Sequence, residues 1–232
     1  MQKTLDSVLK QKIRPKFHVF IDLKSTDHTT KIIAEYKKNN KDINVIFLLQ
    51  NSKGIYQAWN QGLIYLLEKV ENNHFVCILN SDDWLQNNYI TNISRHKQHD
   101  LIAGSCIVHY KNKKFVRPCR NLKYLPIFMA IMDPSLIVRA SVFREIGIYR
   151  EKFLVAADHD FIYRAYEMGC KIKILDEVLV NVKMGGFASQ NKEIAFLEQL
   201  ELSKERSFLP IPELAFLYRS LKLPRLRLFD FL

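Results

Sequence analysis

Ile78-Leu79-Asn80-Ser81-Asp82-Asp83-Trp84 is the stretch on which the reading of this chain turns. The apolar run 75–79 has the composition of a buried strand, and it stops at two adjacent carboxylates. Buried strands of parallel sheets are near-continuously apolar, and open α/β sheets bind ligands at the carboxyl ends of their strands. Two acids side by side at such an end repel each other unless a cation or hydrogen-bond donors compensate. Mg²⁺ and Mn²⁺ take oxygen ligands and are the natural compensation, with a diphosphate completing the coordination shell. Asn, Ser and Asp also favour surface turns and helix caps, so a plain turn is the alternative reading.

The residues before this stretch alternate between two periodicities. Leu5, Val8 and Leu9 have helical spacing, and 17–21 reads as a strand. The turn from Asp22 to Asp27 offers several helix-capping residues ahead of Ile32, Ile33 and Tyr36. A second strand is expected over 43–49, and Gly54 opens a helix carrying Ile55, Ala58, Trp59, Leu63, Leu66 and Leu67. Such alternation predicts an α/β sheet rich in parallel strands.

Beyond Trp84 the pattern is less regular. Strands are expected over 101–110 and 135–138, with a hairpin turn through Lys111-Asn112-Lys113-Lys114. A short helix over 140–146 ends at Gly147, a stronger one over 158–168 ends at Gly169, and 171–175 returns to a strand. No repeat or low-complexity linker interrupts the chain, so one domain is read to about residue 189, with a helical extension over 190–232.

The 232 residues suffice for one sizeable core, and no apolar stretch approaches the ~20 residues that span a bilayer. The first residues lack the apolar core of a secretory signal. Cys77, Cys106, Cys119 and Cys170 form no paired spacing, and Cys77 and Cys106 lie in apolar runs. They are expected to be buried, reduced thiols of a cytoplasmic protein. The net charge of +11 suits nucleic acid, an anionic membrane surface or an anionic small substrate. No nucleic-acid motif accompanies it, so no nucleic-acid partner is expected.

Four segments in order resemble the family 2 glycosyltransferases of GT-A fold. They are Ser7-Val8-Leu9-Lys10-Gln11 with 20–29, then Lys53-Gly54-Ile55-Tyr56-Gln57-Ala58-Trp59-Asn60-Gln61-Gly62, then Leu79-Asn80-Ser81-Asp82-Asp83, and finally Ala156-Ala157-Asp158-His159-Asp160-Phe161. The resemblance covers roughly residues 5–190 and implies a three-layer α/β/α domain with a mixed, mostly parallel sheet. It implies a nucleotide-binding part over about 1–105 and an acceptor part over about 106–189. The implied activity is metal-dependent, inverting transfer of a sugar from a nucleotide-sugar, commonly UDP-linked, to a glycan or lipid-linked acceptor. The implied setting is assembly of surface polysaccharide or lipopolysaccharide. A degenerate relative that only binds nucleotide or a partner protein is the alternative.

By that resemblance Asp22 accepts a hydrogen bond from the base, and Lys53 neutralises diphosphate. Asp82 and Asp83 hold Mn²⁺ or Mg²⁺, with Asp82 also facing the donor, and the cation neutralises the departing nucleoside diphosphate. Asp158 is the general base that takes the proton of the attacking hydroxyl, a role compatible with capping a helix. Asp27 is read as a cap, Asp160 as structural or acceptor-binding, and His159 as packed or near the acceptor. Gly185-Gly186 either lets a loop close or merely turns the chain.

The chain departs from the pattern in places. Relatives carry a strand ahead of the Ser7 region, for which Met1 comes too late, so an unpaired edge is expected near 17–21. Gln50, Asn51 and Ser52 stand where relatives are usually acidic, and Asn80 stands where the first Asp of a DXD motif often lies. At the far end, 218–232 alternates Leu and Phe with Arg219, Lys222, Arg225 and Arg227, and Pro224 divides it. That pattern suits either an anionic membrane interface at the inner face of the cell membrane or packing on the domain.

Overall fold

The structure is a computed structural model, and it describes residues 1–206 apart from Ile127. The basic segment 218–232 therefore lies outside the described residues. The first half alternates as expected: α1 (Gln2–Leu9), β1 (Phe17–Asp22), α2 (Thr29–Asn39), β2 (Asn44–Leu49), α3 (Ile55–Leu67) and β3 (Phe75–Cys77). The second half holds β4 (Trp84–Leu85), α4 (Tyr89–Ser94), β5 (Leu101–Tyr110), β6 (Lys113–Arg117), β7 (Ile137–Arg139), α5 (Ala140–Ile146) and α6 (Ala157–Glu167). β8 (Ile172–Lys183), α7 (Phe187–Gln190) and α8 (Lys192–Arg206) complete it, and 3-10 turns occur at Leu122–Tyr124 and Asp133–Ser135.

The expected mostly parallel sheet is corrected in its pairing. β1 and β2 form a parallel pair of their own, and a six-stranded sheet runs β3-β7-β5-β8-β4 with β6 also on β5. Within the larger sheet only β5 and β8 are parallel. For β5 and β6 the reason is connection length. Lys111 and Asn112 alone join β5 to β6, with Lys111 in the left-handed region at φ 50°, and so short a link permits only an antiparallel partner. β3 is shorter than the apolar run 75–79 because its partner β7 offers three residues, Cys77 facing Ile137, before the 3-10 turn at Asp133–Ser135 leads away. Among the described residues β3 has no second strand neighbour, and Cys77 is exposed, contrary to the burial expected for it, whereas Cys106 in central β5 is buried.

Between the two sheets the chain relies on helices rather than strand pairing. Leu5 of α1 packs with Ile33, Tyr36, Ile43 and Val45, while Val8 one turn on packs with Leu85, Ile102 and Val180 of the larger sheet. On β1, Phe20 joins the α1 and α2 cluster, and its neighbour Ile21 points the other way. There Ile21 meets Gly62 of α3 so closely that a Cβ at Gly62 would lie 3.4 Å from the Ile21 side chain. Leu63 of α3 in turn packs with Val76 of β3. The two sheets thus share α1 on one face and α3 on the other. Among the described residues β1 pairs with β2 alone, so the unpaired edge expected near 17–21 is present.

Gly104 marks where β5 and β8 shift register. A Cβ there would lie 2.7 Å from the Glu177 carbonyl oxygen and from Leu179, so only glycine lets the strands approach at the bulge. The C-terminal helix is no loose appendage as far as it is described. Leu202 of α8 is buried in the main core, and Lys152 bridges to Glu201 at 2.9 Å and to Glu205 at 2.5 Å.

Candidate active site

The carboxylate turn is built by α1 as much as by β3. Asp83 N–H donates to the Asn80 carbonyl at 3.2 Å, which closes the turn 80–83. Three polar residues on one face of α1 and just past its end hold this turn and the segment up to residue 90. Thr4 Oγ1 donates to the Ser81 carbonyl at 2.8 Å, Ser7 Oγ accepts the Leu85 N–H at 3.0 Å, and Gln11 reaches the Gln86 carbonyl at 2.8 Å and the Ile90 N–H at 3.1 Å. Lys3 adds a cation over the Trp84 ring, 3.3 Å from its centre.

The two acids of the turn occupy different surroundings. Asp82 is exposed. Asp83 is 1% exposed, and its Oδ1 accepts the Lys183 N–H of β8 at 2.9 Å while Oδ2 accepts from Asn80 Nδ2 at 3.0 Å. Burial pushes the Asp83 carboxyl up to about 6, against the pull of those two donors. Asp83 therefore pins the turn to β8, and Asp82 is the carboxylate left facing solvent. No group of three or more His, Cys, Asp or Glu side chains is gathered for a metal among the described residues. That donor set still fits Mg²⁺ or Mn²⁺, which are held by one or two carboxylates together with substrate phosphates rather than by a protein cage.

A second acidic centre forms where α3, the Asp133 turn and α6 meet. Tyr56 of α3 sends its hydroxyl to the Val155 carbonyl at 2.6 Å and to Asp158 Oδ1 at 3.2 Å. Asp158 Oδ1 also accepts the His159 N–H at 2.8 Å, so Asp158 serves its own helix start. Burial raises the Asp158 carboxyl to about 6, and these hydrogen bonds together with the Arg117 charge only partly oppose that rise. Such a carboxyl is a serviceable base near neutral pH, as a free surface Asp is not.

Asp133 was not singled out by sequence reasoning. It is 4% exposed, accepts from the Tyr149 hydroxyl at 3.2 Å through Oδ1, and keeps Oδ2 without a partner. Burial first, then Asp158, push its carboxyl well above the usual range, and Asp83 adds to the rise. Of the two acids Asp133 is thus the one that burial makes hold its proton more strongly. The Tyr56 and Tyr149 rings stack 5.9 Å apart, each hydroxyl serving one of the two acids. Asn60 secures the same side: it bonds both N–H and C=O of Tyr149, at 3.1 Å and 2.8 Å, and Glu151 at 2.8 Å. A buried Asn with both donors and its acceptor oxygen engaged is a register pin, and a mid-helix Asn gives no such signal in sequence.

The remaining expected residues are dispersed around these two centres. Asp22 is 8% exposed and engages Ser25 twice, through the Ser25 N–H at 2.8 Å and Oγ at 2.5 Å. Lys53 is exposed in the loop before α3. That loop is folded back by Gln50 onto the Gly54 carbonyl at 2.7 Å and by Gln61 onto the Asn51 N–H at 2.9 Å. Asp27 accepts the Thr29 N–H at 2.9 Å at the start of α2, as read from the sequence. Asp160 is fully buried and gathers Arg150, Arg164 and Arg206, the last two at 3.0 Å, and is structural. His159 is 2% exposed and packed, with Nε2 2.7 Å from the Leu125 carbonyl.

An α/β domain of GT-A type, with an acidic turn after a strand and a second acidic centre at a helix start, is the class that this arrangement defines. The chain resembles S. aureus TarS with a TM-score of 0.65 at 18% identity, over 90% of this chain and 38% of that one. It therefore spans less than half the length of TarS. It also resembles a mannosyltransferase from Pyrobaculum calidifontis, described in complex with GDP-Man and Mn²⁺, with a TM-score of 0.59 at 14% identity over 96% of this chain and 76% of that one.

The family description "Glycosyl transferase family 2" matches residues 1–169, and the chain belongs to that family. A "PGL/p-HBAD biosynthesis glycosyltransferase" of Mycobacterium bovis is 25% identical over 206 residues, covering 86% of this chain and 78% of the relative. The protein is a glycosyltransferase. No described helix is long and apolar enough to cross a membrane.

Proposed function

We propose that the protein transfers a sugar, with inversion, from a nucleotide-sugar to a hydroxyl of a glycan or lipid-linked acceptor, and that Asp158 is the general base. The observation that carries this reading is the Asp158 carboxyl itself, held at a helix start beside Tyr56 and raised to about 6. As a hydroxyl attacks the anomeric carbon, its proton passes to Asp158, while the sugar–phosphate bond breaks and its electrons leave on the nucleoside diphosphate. The Tyr56 hydroxyl lies beside that carboxylate while making its shorter hydrogen bond to the Val155 carbonyl, and Asp133, whose carboxyl burial pushes up, is disinclined to add a second negative charge. Asp22, at the end of β1, is the base-reading residue, and Lys53 is the cation for the diphosphate. Asp82 holds the Mn²⁺ or Mg²⁺, with Asp83 holding the turn from behind. When bound, that cation supplies charge neutralisation for the departing diphosphate.

A UDP-linked donor and an acceptor of the cell-surface polysaccharide or lipopolysaccharide class fit this reading, and the name of the mycobacterial relative likewise refers to biosynthesis by glycosyl transfer. Work on such acceptors would place the protein in the cytoplasm, at the inner membrane face. Nucleoside diphosphate release from a panel of nucleotide-sugars, with and without Mn²⁺, tests the proposal. Release that requires Mn²⁺ and vanishes in Asp158→Asn supports it. Mn²⁺-dependent UDP binding with no release from any donor would make the chain a binding relative instead.

A further inference from the structure

Glu198 lies in α8, beyond the segment that matches the family. It is 8% exposed, and its carboxylate accepts three consecutive backbone N–H groups: Leu154 at 2.6 Å, Val155 at 2.8 Å and Ala156 at 2.9 Å. Converging amides of this kind form an anion-binding nest, and here a side chain of the protein fills it. The nest immediately precedes α6, whose N-cap residue Ala156 has no side chain with which to cap the helix.

The middle residue of the nest is the one that matters for chemistry. The Val155 carbonyl accepts the Tyr56 hydroxyl at 2.6 Å, and the same hydroxyl reaches Asp158 at 3.2 Å. A phenol has one proton, so these two acceptors compete for it, and the shorter contact prevails. A donor to a carboxylate stabilises its charged form and weakens it as a base. The position of the Val155 carbonyl therefore sets how much Tyr56 donates to Asp158.

Building on the reading of Asp158 as the base, we propose that Glu198 is a positioning residue for it: by clamping the 154–156 backbone, Glu198 keeps the Tyr56 proton on the Val155 carbonyl and away from Asp158. Loss of the clamp turns Val155, and Tyr56 then donates fully to Asp158. The other groups that face Asp158 are Arg117 at the end of β6, Asp133 with Tyr149, and the His159 N–H of its own helix. None of these is bonded to Glu198, so they stay in place when the clamp is removed.

The test is carbon-13 NMR of the full chain labelled at aspartate carboxyls, with the Asp158 resonance identified by its loss in Asp158→Asn. The wild-type resonance should titrate near 6. In Glu198→Gln, which keeps one acceptor oxygen and sets an amide N–H₂ against at least one of the three backbone donors, the midpoint should fall by about one pH unit. In a Tyr56→Phe background the same substitution should leave the midpoint unmoved. Should Glu198→Gln not fold, Glu198→Asp, which withdraws the carboxylate by one methylene, is read in the same way. An unmoved midpoint in the folded single variant, or an equal fall without the Tyr56 hydroxyl, overturns the proposal. Separately, normal nucleoside diphosphate release by Asp158→Asn would overturn the base assignment while leaving the titration result intact.

Discussion

Tyr56 of α3 and Asp158 of α6, 102 residues apart in sequence, meet at 3.2 Å between hydroxyl and carboxylate oxygen. Their pairing joins α3 to the helix that carries the proposed base. If Asp158 takes the acceptor proton, Asp158→Asn should bind UDP as the wild type does and lose transfer by about 10²-fold or more. Activity of the wild type should fall as the pH drops through about 6, because the carboxyl is raised to that value by burial and only its ionised form is a base. A pH–rate profile without that acidic limb would count against the assignment.

Asp133 offers a stability test of the same centre. Its carboxyl is held well above the usual range by burial and by Asp158, so the folded protein binds a proton there that the unfolded chain releases near pH 4. Its contribution is greatest in acid and is lost as the pH rises towards the folded value. Asp133→Asn mimics the neutral acid and keeps the oxygen that accepts from Tyr149. The variant should therefore gain on the wild type in urea unfolding by up to roughly 1.4 kcal/mol for each pH unit above about 4 over which the folded carboxyl keeps its proton. Parallel stability curves would show that Asp133 is ionised.

The two acids of the turn should separate cleanly. Asp82→Asn is expected to weaken Mn²⁺-dependent UDP binding severely with no change in melting temperature, since Asp82 is exposed. Asp83→Asn keeps the oxygen for Lys183 but turns an amide N–H₂ towards the Asn80 donor, and should cost about 1–2 kcal/mol of stability. Calorimetry and thermal melts on both variants decide it. Equal loss of affinity in both, without destabilisation, would return Asp83 to the metal.

Asp160 should be silent in donor binding and costly in folding. Asp160→Asn leaves Arg150, Arg164 and Arg206 around a neutral amide, and removing one partner of a buried ion pair costs about 3–5 kcal/mol. Denaturant midpoints measure the loss. A variant of unchanged stability would mean that the three cations find solvent without penalty.

The unpaired edge of β1 should be visible in solution. Amides of β1 that do not pair with β2 should exchange with solvent far faster than those of β8, which is flanked on both sides. Sedimentation should show self-association that grows with concentration, as expected of a bare strand edge. A strict monomer with uniformly protected β1 amides would exclude both.

Much of this was legible in the chain because it is local. The periodicities gave α3, β5, α5 and α6 close to their bounds, and Gly147 and Gly169 marked helix ends where they occur. The Asn80-Ser81-Asp82-Asp83 turn stands out because an apolar run ends there in two adjacent acids, whereas Asp158 is picked out only by the resemblance to the glycosyltransferase family. What the sequence could not decide is everything that depends on a distant partner. Whether Asp82 or Asp83 faces solvent is set by Lys183, a hundred residues on, and the acidity of Asp133 is set by burial that no local pattern reports. The same holds for strand direction in the larger sheet and for the reach of Glu198 to α6. Local propensity is written in neighbouring residues, but proton affinity and hydrogen-bond satisfaction are properties of the enclosure, which exists only once the chain has closed around it.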